Sequence, residues 1–198
     1  ALRGDAAALA GNGRPYTYAQ ADRASRALAA ALTVTLRPDD HSAAGVDETP
    51  GGASKPVGLM AGQSTEAVIG ILALVRAGRT VVVLDDHLPA ARLAHVARLA
   101  GVDEIVADTE RAALAADVVA ERGGRVHALG ELLDAGEPGA APSPDTVDVR
   151  PGGRDPFAIV FTSGSTGKPK GVVLTHRQQI ADAEQDAVAL GLGPGDRL

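Results

Sequence analysis

The sequence predicts an α/β fold: a parallel sheet flanked by helices in βαβ units. Three observations carry this expectation. Short β-branched or apolar runs alternate with longer Ala/Leu-rich runs along most of the 198 residues. Their spacing, strand then helix then strand, favours right-handed crossovers and a sheet covered by helices. With 45% hydrophobic and 22% charged residues, the chain can bury a core at about the length of one domain or of an incomplete larger one.

The elements follow in order. Thr17 and Gln20 form a Thr-x-x-Gln capping box that opens a first helix, predicted to run to about Leu32. Val57-Gly-Leu-Met60 is a short strand. A helix over 65–77 follows, N-capped by Ser64 and stopped at Gly78, with Val68, Ile71, Leu72 and Val75 as its apolar face. Thr80 to Leu84 is β-branched and apolar, as befits a strand buried on both faces. Pro89 opens the next helix and Gly101 closes it. Glu104-Ile-Val-Ala107 is a strand, Glu110 to Glu121 a helix and Arg125 to Ala128 another strand. Phe157 to Phe161 reads as a buried strand, and Thr175 with Gln178 caps a last helix from His176 to about Leu190.

Two segments break the rhythm. Residues 37–56 are rich in Pro, Gly, Asp, Ser and Thr and are longer than a usual connection, so a protease-sensitive surface loop is expected there. Residues 134–156 are rich in proline and glycine. They read as a linker inside the domain, because the strand after them needs the earlier sheet to bury it.

Composition excludes several functions. The 19 basic and 25 acidic residues give a net charge of −6, with 2% aromatics, so nucleic acid is not an expected partner. Zero cysteines remove disulfides, thiol catalysis and thiolate metal sites. No 18-residue apolar run and no basic-then-apolar start occur, so no membrane partner and a cytoplasmic location are expected.

The chemistry concentrates in one place. Two of the three lysines, Lys168 and Lys170, lie in Thr162-Ser-Gly-Ser-Thr-Gly-Lys-Pro-Lys-Gly171. Gly164, Gly167 and Gly171 allow positive φ and close approach of a ligand. The hydroxyls of Thr162, Ser163, Ser165 and Thr166 and the loop amides supply converging donors. The lysines supply charge, and Pro169 between them limits the loop's freedom. These are features of a polyphosphate site. A Walker-type loop is ruled out, because Thr162 and Pro169 stand where it needs a glycine and a Ser or Thr.

This run resembles, nearly letter for letter, the phosphate loop of the adenylate-forming superfamily, which includes acyl-CoA synthetases, luciferases and peptide-synthetase adenylation domains. Tyr16-Thr-Tyr-Ala-Gln-Ala-Asp22 resembles that family's opening element. Leu74 to Asp85, with Leu88-Pro89 and Arg92-Leu93 after it, is similar to an element typical of the nonribosomal peptide synthetase branch, with Val83 in place of the usual proline. Compared with the family, 37–56 looks like an insertion.

The resemblance implies a partial N-terminal subdomain of an enzyme that makes an acyl- or aminoacyl-adenylate from ATP, with Mg2+, and passes the acyl group to a thiol. The implied partners are a small carboxylate (an amino acid or acyl acid) and a carrier-protein phosphopantetheine or CoA. Within the same class, an acyl-CoA synthetase or fatty acyl-AMP ligase is the alternative. The family's later adenine, ribose and hinge elements and its catalytic lysine have no counterpart before Leu198, and Gly193-Pro-Gly-Asp-Arg-Leu198 reads as a turn into a strand that does not follow. A fragment is therefore expected, with no catalytic residue of its own. A truncated, inactive nucleotide-binding or interaction piece is the rival reading.

Other candidates are weaker. Asp85 and Asp86 follow a predicted strand, where ligand groups can sit, but capping the helix at Pro89 is the favoured role. The five histidines show no i, i+4 pair and no carboxylate at ligand spacing, so no metal site is assigned to them. Gly164-Ser-Thr-Gly167 lacks nucleophile-elbow spacing. Gly11-Asn-Gly13 has no third glycine at Tyr16 and follows no strand signal. His176, at the first turn of its helix, is read as near the phosphate loop.

Overall fold

The computed structural model describes residues 4–36, 55–135, 151–163 and 169–193. Two further strand pieces come first: β1 (Ala7–Leu9) and β2 (Tyr16–Thr17) form a small antiparallel pair. Then come α1 (Tyr18–Thr35), β3 (Val57–Met60), α2 (Thr65–Arg76), β4 (Val81–Val83), α3 (Ala90–Ala100), β5 (Glu104–Ala107) and α4 (Ala112–Val119). A 3-10 turn at Ala120–Arg122 leads to β6 (Arg125–Ala128), α5 (Leu129–Ala135), β7 (Pro156–Ser163), β8 (Pro169–Thr175) and α6 (His176–Ala189).

Six strands form one sheet in the order β6-β5-β3-β4-β7-β8. Every neighbouring pair is parallel except β7 with β8, which is antiparallel. The predicted α/β sheet flanked by helices is therefore present, with an antiparallel edge strand added. Both expected capping boxes form: Thr17 accepts from the Gln20 amide, and Thr175 from that of Gln178. Ser64 caps α2 by accepting from the Ala67 N–H at 3.1 Å.

Side-chain alternation along the central strands feeds two cores. Val57, Leu59, Val81 and Val106 point into one, with Leu28 and Leu32 of α1, Ile69, Ala73 and Leu74 of α2, and Leu129 of α5. Met60, Val82 and Ile105 point into the other, with Leu93 and Val96 of α3 and Ala115 and Val118 of α4. The second core packs so tightly against β3 that a side chain at Gly58 would crowd it. A Cβ there would lie 2.9 Å from Ile105 Cγ1 and 3.0 Å from Leu84 Cδ1.

Several expectations need correction. The buried face of α2 is Ile69, Gly70, Ala73 and Leu74, while Val68 and Leu72 are 38% and 40% exposed. Apolar residues surround nearly the whole helix, so periodicity did not single out the inner stripe. β4 is buried at Val81 and Val82, but Val83 is exposed. The helix expected over 110–121 is shorter, and α5 begins directly after β6 with no sequence signal assigned to it.

The run Phe157 to Phe161 in β7 is not a buried strand: of those five residues only Ala158 is buried, and Val160 is 47% exposed. Gly11-Asn-Gly13 does follow a strand, β1, although of an antiparallel pair. Its role is docking. Glu66 Oε1 accepts from the Arg14 N–H at 2.7 Å, and Thr65 Oγ1 donates to the Arg14 carbonyl at 2.7 Å. Burial pulls the Glu66 carboxyl up, but the Arg14 N–H, its own N–H and the Thr65 and Ser64 hydroxyls outweigh that and hold it below the usual value. Gly13 has φ 97° and sits where a Cβ would meet Glu66. The loop expected over 37–56 and the linker over 134–156 fall largely outside the described residues. Of the linker, 134–135 end α5, and 151–155 lead into β7.

Candidate phosphate-binding site

Because β3, β4, β5 and β7 run parallel, their carboxyl ends share one edge of the sheet. This is the edge at which open α/β sheets bind ligands. β7 ends there with Thr162 and Ser163, and β8 returns from it. Thr162 pairs with Lys170, Ser163 with Pro169 and Phe161 with Gly171. The expected site residues Thr162, Ser163, Lys170 and Gly171 thus lie together across two paired strands. Gly164, Ser165, Thr166, Gly167 and Lys168, which join these strands, lie outside the described residues.

Gly171 does not use positive φ, contrary to expectation. It makes room: a Cβ would lie 3.2 Å from Phe161 Cζ and 3.3 Å from Ile159 Cγ2. Both of those side chains pack on the α3/α4 core, so the glycine lets β8 close over the strand that leads to the loop.

Beside β7 at the same edge, Asp85, Asp86 and His87 follow β4. These acids do not cap α3, whose N-cap, Pro89, makes no side-chain bond. Asp86 Oδ2 accepts from Arg111 Nε at 2.8 Å. Arg111 Nη1 donates to Asp108 Oδ2 at 2.7 Å, and that oxygen also accepts from the Gly62 N–H at 2.9 Å. One guanidinium therefore ties together the ends of β3, β4 and β5. Its side chain is 19% exposed, so the bonds are partly shielded from water.

Sequence reasoning missed Arg111 and Asp108, whose only local signal is an i, i+3 spacing. It also missed that carboxylates accompany a histidine: Asp85, Asp86 and His87 place one ligand atom each within 4.8 Å of one another. The Asp85 Oδ1 to His87 Nδ1 distance is 2.8 Å. The His87 backbone N–H, then its ring, hold the Asp85 carboxyl low, and the bond to Asp85 raises the His87 imidazole.

His176 is not near the loop. Thr175 pairs with Pro156 at the start of β7, so the length of β8, about 20 Å, separates His176 from the loop end of the hairpin. Its ring meets Phe157 edge-on at 5.4 Å between centroids, and burial, opposed by Asp155, pushes its pKa down.

A family model described as "AMP-binding enzyme" matches residues 1–198. The chain belongs to that family. Among its curated relatives is a nonribosomal peptide synthetase named vlms from a Lecanicillium species, 36% identical over an alignment of 151 residues that covers 72% of this chain and 2% of that protein. ATP-bound MatB from Rhodopseudomonas palustris superposes with a TM-score of 0.71 at 24% identity, over 93% of this chain and 34% of that one. The N-terminal subdomain of Klebsiella oxytoca NpsA, in complex with 3-hydroxyanthranilyl-AMSN, gives 0.64 at 26% identity, over 87% and 37%. The chain thus spans about a third of the length of these two solved relatives and has the fold of part of an adenylate-forming enzyme.

Proposed function

We propose that this chain is the segment of an ATP-dependent, carboxylate-activating enzyme that grips the β- and γ-phosphates of ATP through residues 162–171. The observation that supports it is the Thr162 to Gly171 run set on the hairpin at the carboxyl edge of the sheet, in a chain of the AMP-binding family. In the reaction, a small carboxylate attacks the α-phosphorus. The new acyl–oxygen–phosphorus bond forms as the bond to the β-phosphate oxygen breaks, and pyrophosphate leaves. A thiol, either a carrier-protein phosphopantetheine or CoA, then displaces AMP from the acyl carbon. The peptide-synthetase relatives favour an amino acid and a carrier protein.

The loop holds the leaving pyrophosphate in line and meets its growing charge with donors already in place. Thr162, Ser163, Ser165, Thr166 and Lys168 make those contacts, the backbone of Gly164 and Gly167 allows the close approach, and Lys170, paired opposite Thr162, steadies the loop. None acts as nucleophile or base. Mg2+ ordinarily accompanies ATP and is held by one or two carboxylates plus phosphate oxygens. In the Asp85, Asp86 and His87 trio, Arg111 already binds Asp86 Oδ2 and His87 engages Asp85 Oδ1, which leaves one oxygen of each carboxylate for a cation. No step is assigned to the ion.

In an enzyme that carries this segment, Thr166→Ala or Lys168→Ala should cost roughly 2–4 kcal/mol at the adenylation transition state, about 30- to 1000-fold in rate. Thiol transfer from a supplied acyl-adenylate should be spared. Ser64→Ala, which removes a helix cap, should lower stability by about 1 kcal/mol without singling out either half-reaction. Single-turnover rates for both halves are the measurement, and equal losses in both for the loop variants would refute the phosphate assignment. The 198-residue chain alone is expected to show no substrate-dependent pyrophosphate exchange.

A further inference from the structure

The sheet edge that carries the candidate phosphate loop also carries carboxylates. Asp86 follows β4, the neighbour of β7, and Asp108 follows β5, three strand spacings from β7. Those spacings put the two strands about 5 Å and about 14 Å from the one that enters the loop. Register sets Asp86 level with the loop: from the Val81–Ala158 pair, five residues lead to Asp86 on one strand and five to Ser163 on the other. An uncompensated carboxylate here would repel a polyphosphate. Arg111 compensates both acids, its Nε donating to Asp86 Oδ2 at 2.8 Å and its Nη1 to Asp108 Oδ2 at 2.7 Å. Its guanidinium lies over Gly62, where a Cβ would come within 3.2 Å of Nη1 and Nη2, so the turn after β3 leaves it room to reach both partners. Asp108 is turned wholly inward, since its Oδ1 also accepts the Arg111 N–H at 3.0 Å and its Oδ2 the Gly62 N–H at 2.9 Å. His87 Nδ1, 3.4 Å from Asp86 Oδ1, is the looser partner, on a side chain 88% exposed.

We propose that Arg111 is a positioning residue for polyphosphate binding: it draws Asp86 away from the phosphate loop and neutralises it, so that the loop's lysines act without an opposing carboxylate beside them. The direction of the pull follows from strand order. Arg111 comes from the β5 side of β4, and β7 lies on the other side. The inference rests on the phosphate reading of residues 162–171 and adds the electrostatic condition under which that loop works. Distance decides which acid matters. Asp86 stands within a Debye length of the loop at moderate salt, whereas Asp108 stands beyond one. A single uncompensated charge about 10 Å from the phosphates, in a surface setting, changes binding by about two- to tenfold.

The test titrates the whole chain with MgATP and reads affinity from amide shifts over 162–171. At low salt Arg111→Gln should bind about two- to tenfold more weakly, and the deficit should fade at about 0.5 M salt, where screening is nearly complete. A purely structural loss would persist there. Adding Asp86→Asn to Arg111→Gln should restore most of the affinity, and adding Asp108→Asn much less. Arg122→Gln removes the same charge at the opposite edge of the sheet, where Arg122 pairs with Asp103 ahead of β5, and should change little. Circular dichroism confirms that each variant is folded. Should Arg111→Gln fail to fold, Asp86→Asn alone decides, with tighter MgATP binding expected. Wild-type affinity in Arg111→Gln, a deficit that ignores salt, no restoration by Asp86→Asn, or an equal deficit in Arg122→Gln would each overturn the proposal. Unchanged binding in Asp86→Asn alone would overturn it too, and weaker binding there would make the carboxylate a cation ligand instead. A wild type that does not respond to MgATP would sink the phosphate reading itself, whereas these outcomes sink only the role of Arg111.

Discussion

Val82 and Val173 are the same residue in strands of the same sheet, yet Val82 is fully buried and Val173 is 49% exposed. Around Val82, α1 and α2 cover one face of the sheet and α3 and α4 the other, and Arg111 laces together the carboxyl ends of three strands. Around Val173 the sheet turns antiparallel, α6 has no buried residue, and the strand ends carry glycine, hydroxyl and lysine residues. One region is packed on both faces of the sheet, and the other carries the candidate chemistry. Loops that must admit a ligand belong to the weakly packed end of a fold.

The sharpest way to break this contrast is a matched pair of leucine truncations. Leu74 is fully buried in the α1/α2 core and Leu190 is 66% exposed at the end of α6. Leu74→Ala should cost about 2–5 kcal/mol, and Leu190→Ala should stay within about 0.5 kcal/mol. Urea unfolding measures both. Similar losses would mean that α6 is packed as firmly as α2 in solution.

Next in size is Gly13→Ala. Strain from a Cβ at φ 97° and a clash with Glu66 should together remove roughly 2–3 kcal/mol. If thermal melts show no loss, the β1–β2 hairpin does not hold the N-terminus of α2. It would then belong with the loosely packed region.

The smallest effect is pH dependence at the open end. Burial depresses the folded-state pKa of His176 below its ordinary value near 6.5. The unfolded chain then takes up the proton first, so this contribution is present above about pH 6.5 and is lost as pH falls below it. The melting temperature of the wild type should drop more between pH 7.5 and pH 5.5 than that of His176→Asn. Parallel curves would remove His176 from the account.

Legibility in the sequence followed the range of each interaction. The capping residues Thr17, Ser64 and Thr175 were readable because a cap bonds two or three residues along the chain. β3 and β5 were readable as short, mostly apolar runs between breakers. The inner face of α2 was not, because apolar residues nearly surround it and only its neighbours choose among them. The Asp86–Arg111–Asp108 lacing joins groups brought together by a parallel crossover. His176 misled for the opposite reason: it is six residues from Lys170, but an extended strand turns six residues into about 20 Å. The Thr162 to Gly171 run was legible as candidate phosphate-binding chemistry in its own letters. Its place on an antiparallel hairpin was not.

The central claim is that residues 162–171 grip the β- and γ-phosphates, and amide chemical shifts of the 198-residue chain test it most directly. MgATP and MgAMP are titrated in parallel against wild type and Lys168→Ala. The account predicts shifts clustered at Thr162 to Gly171 that appear with MgATP, are much weaker with MgAMP and collapse in the variant. Equal responses to the two nucleotides, or shifts centred on Asp85 to His87 and unaffected by Lys168→Ala, would contradict it.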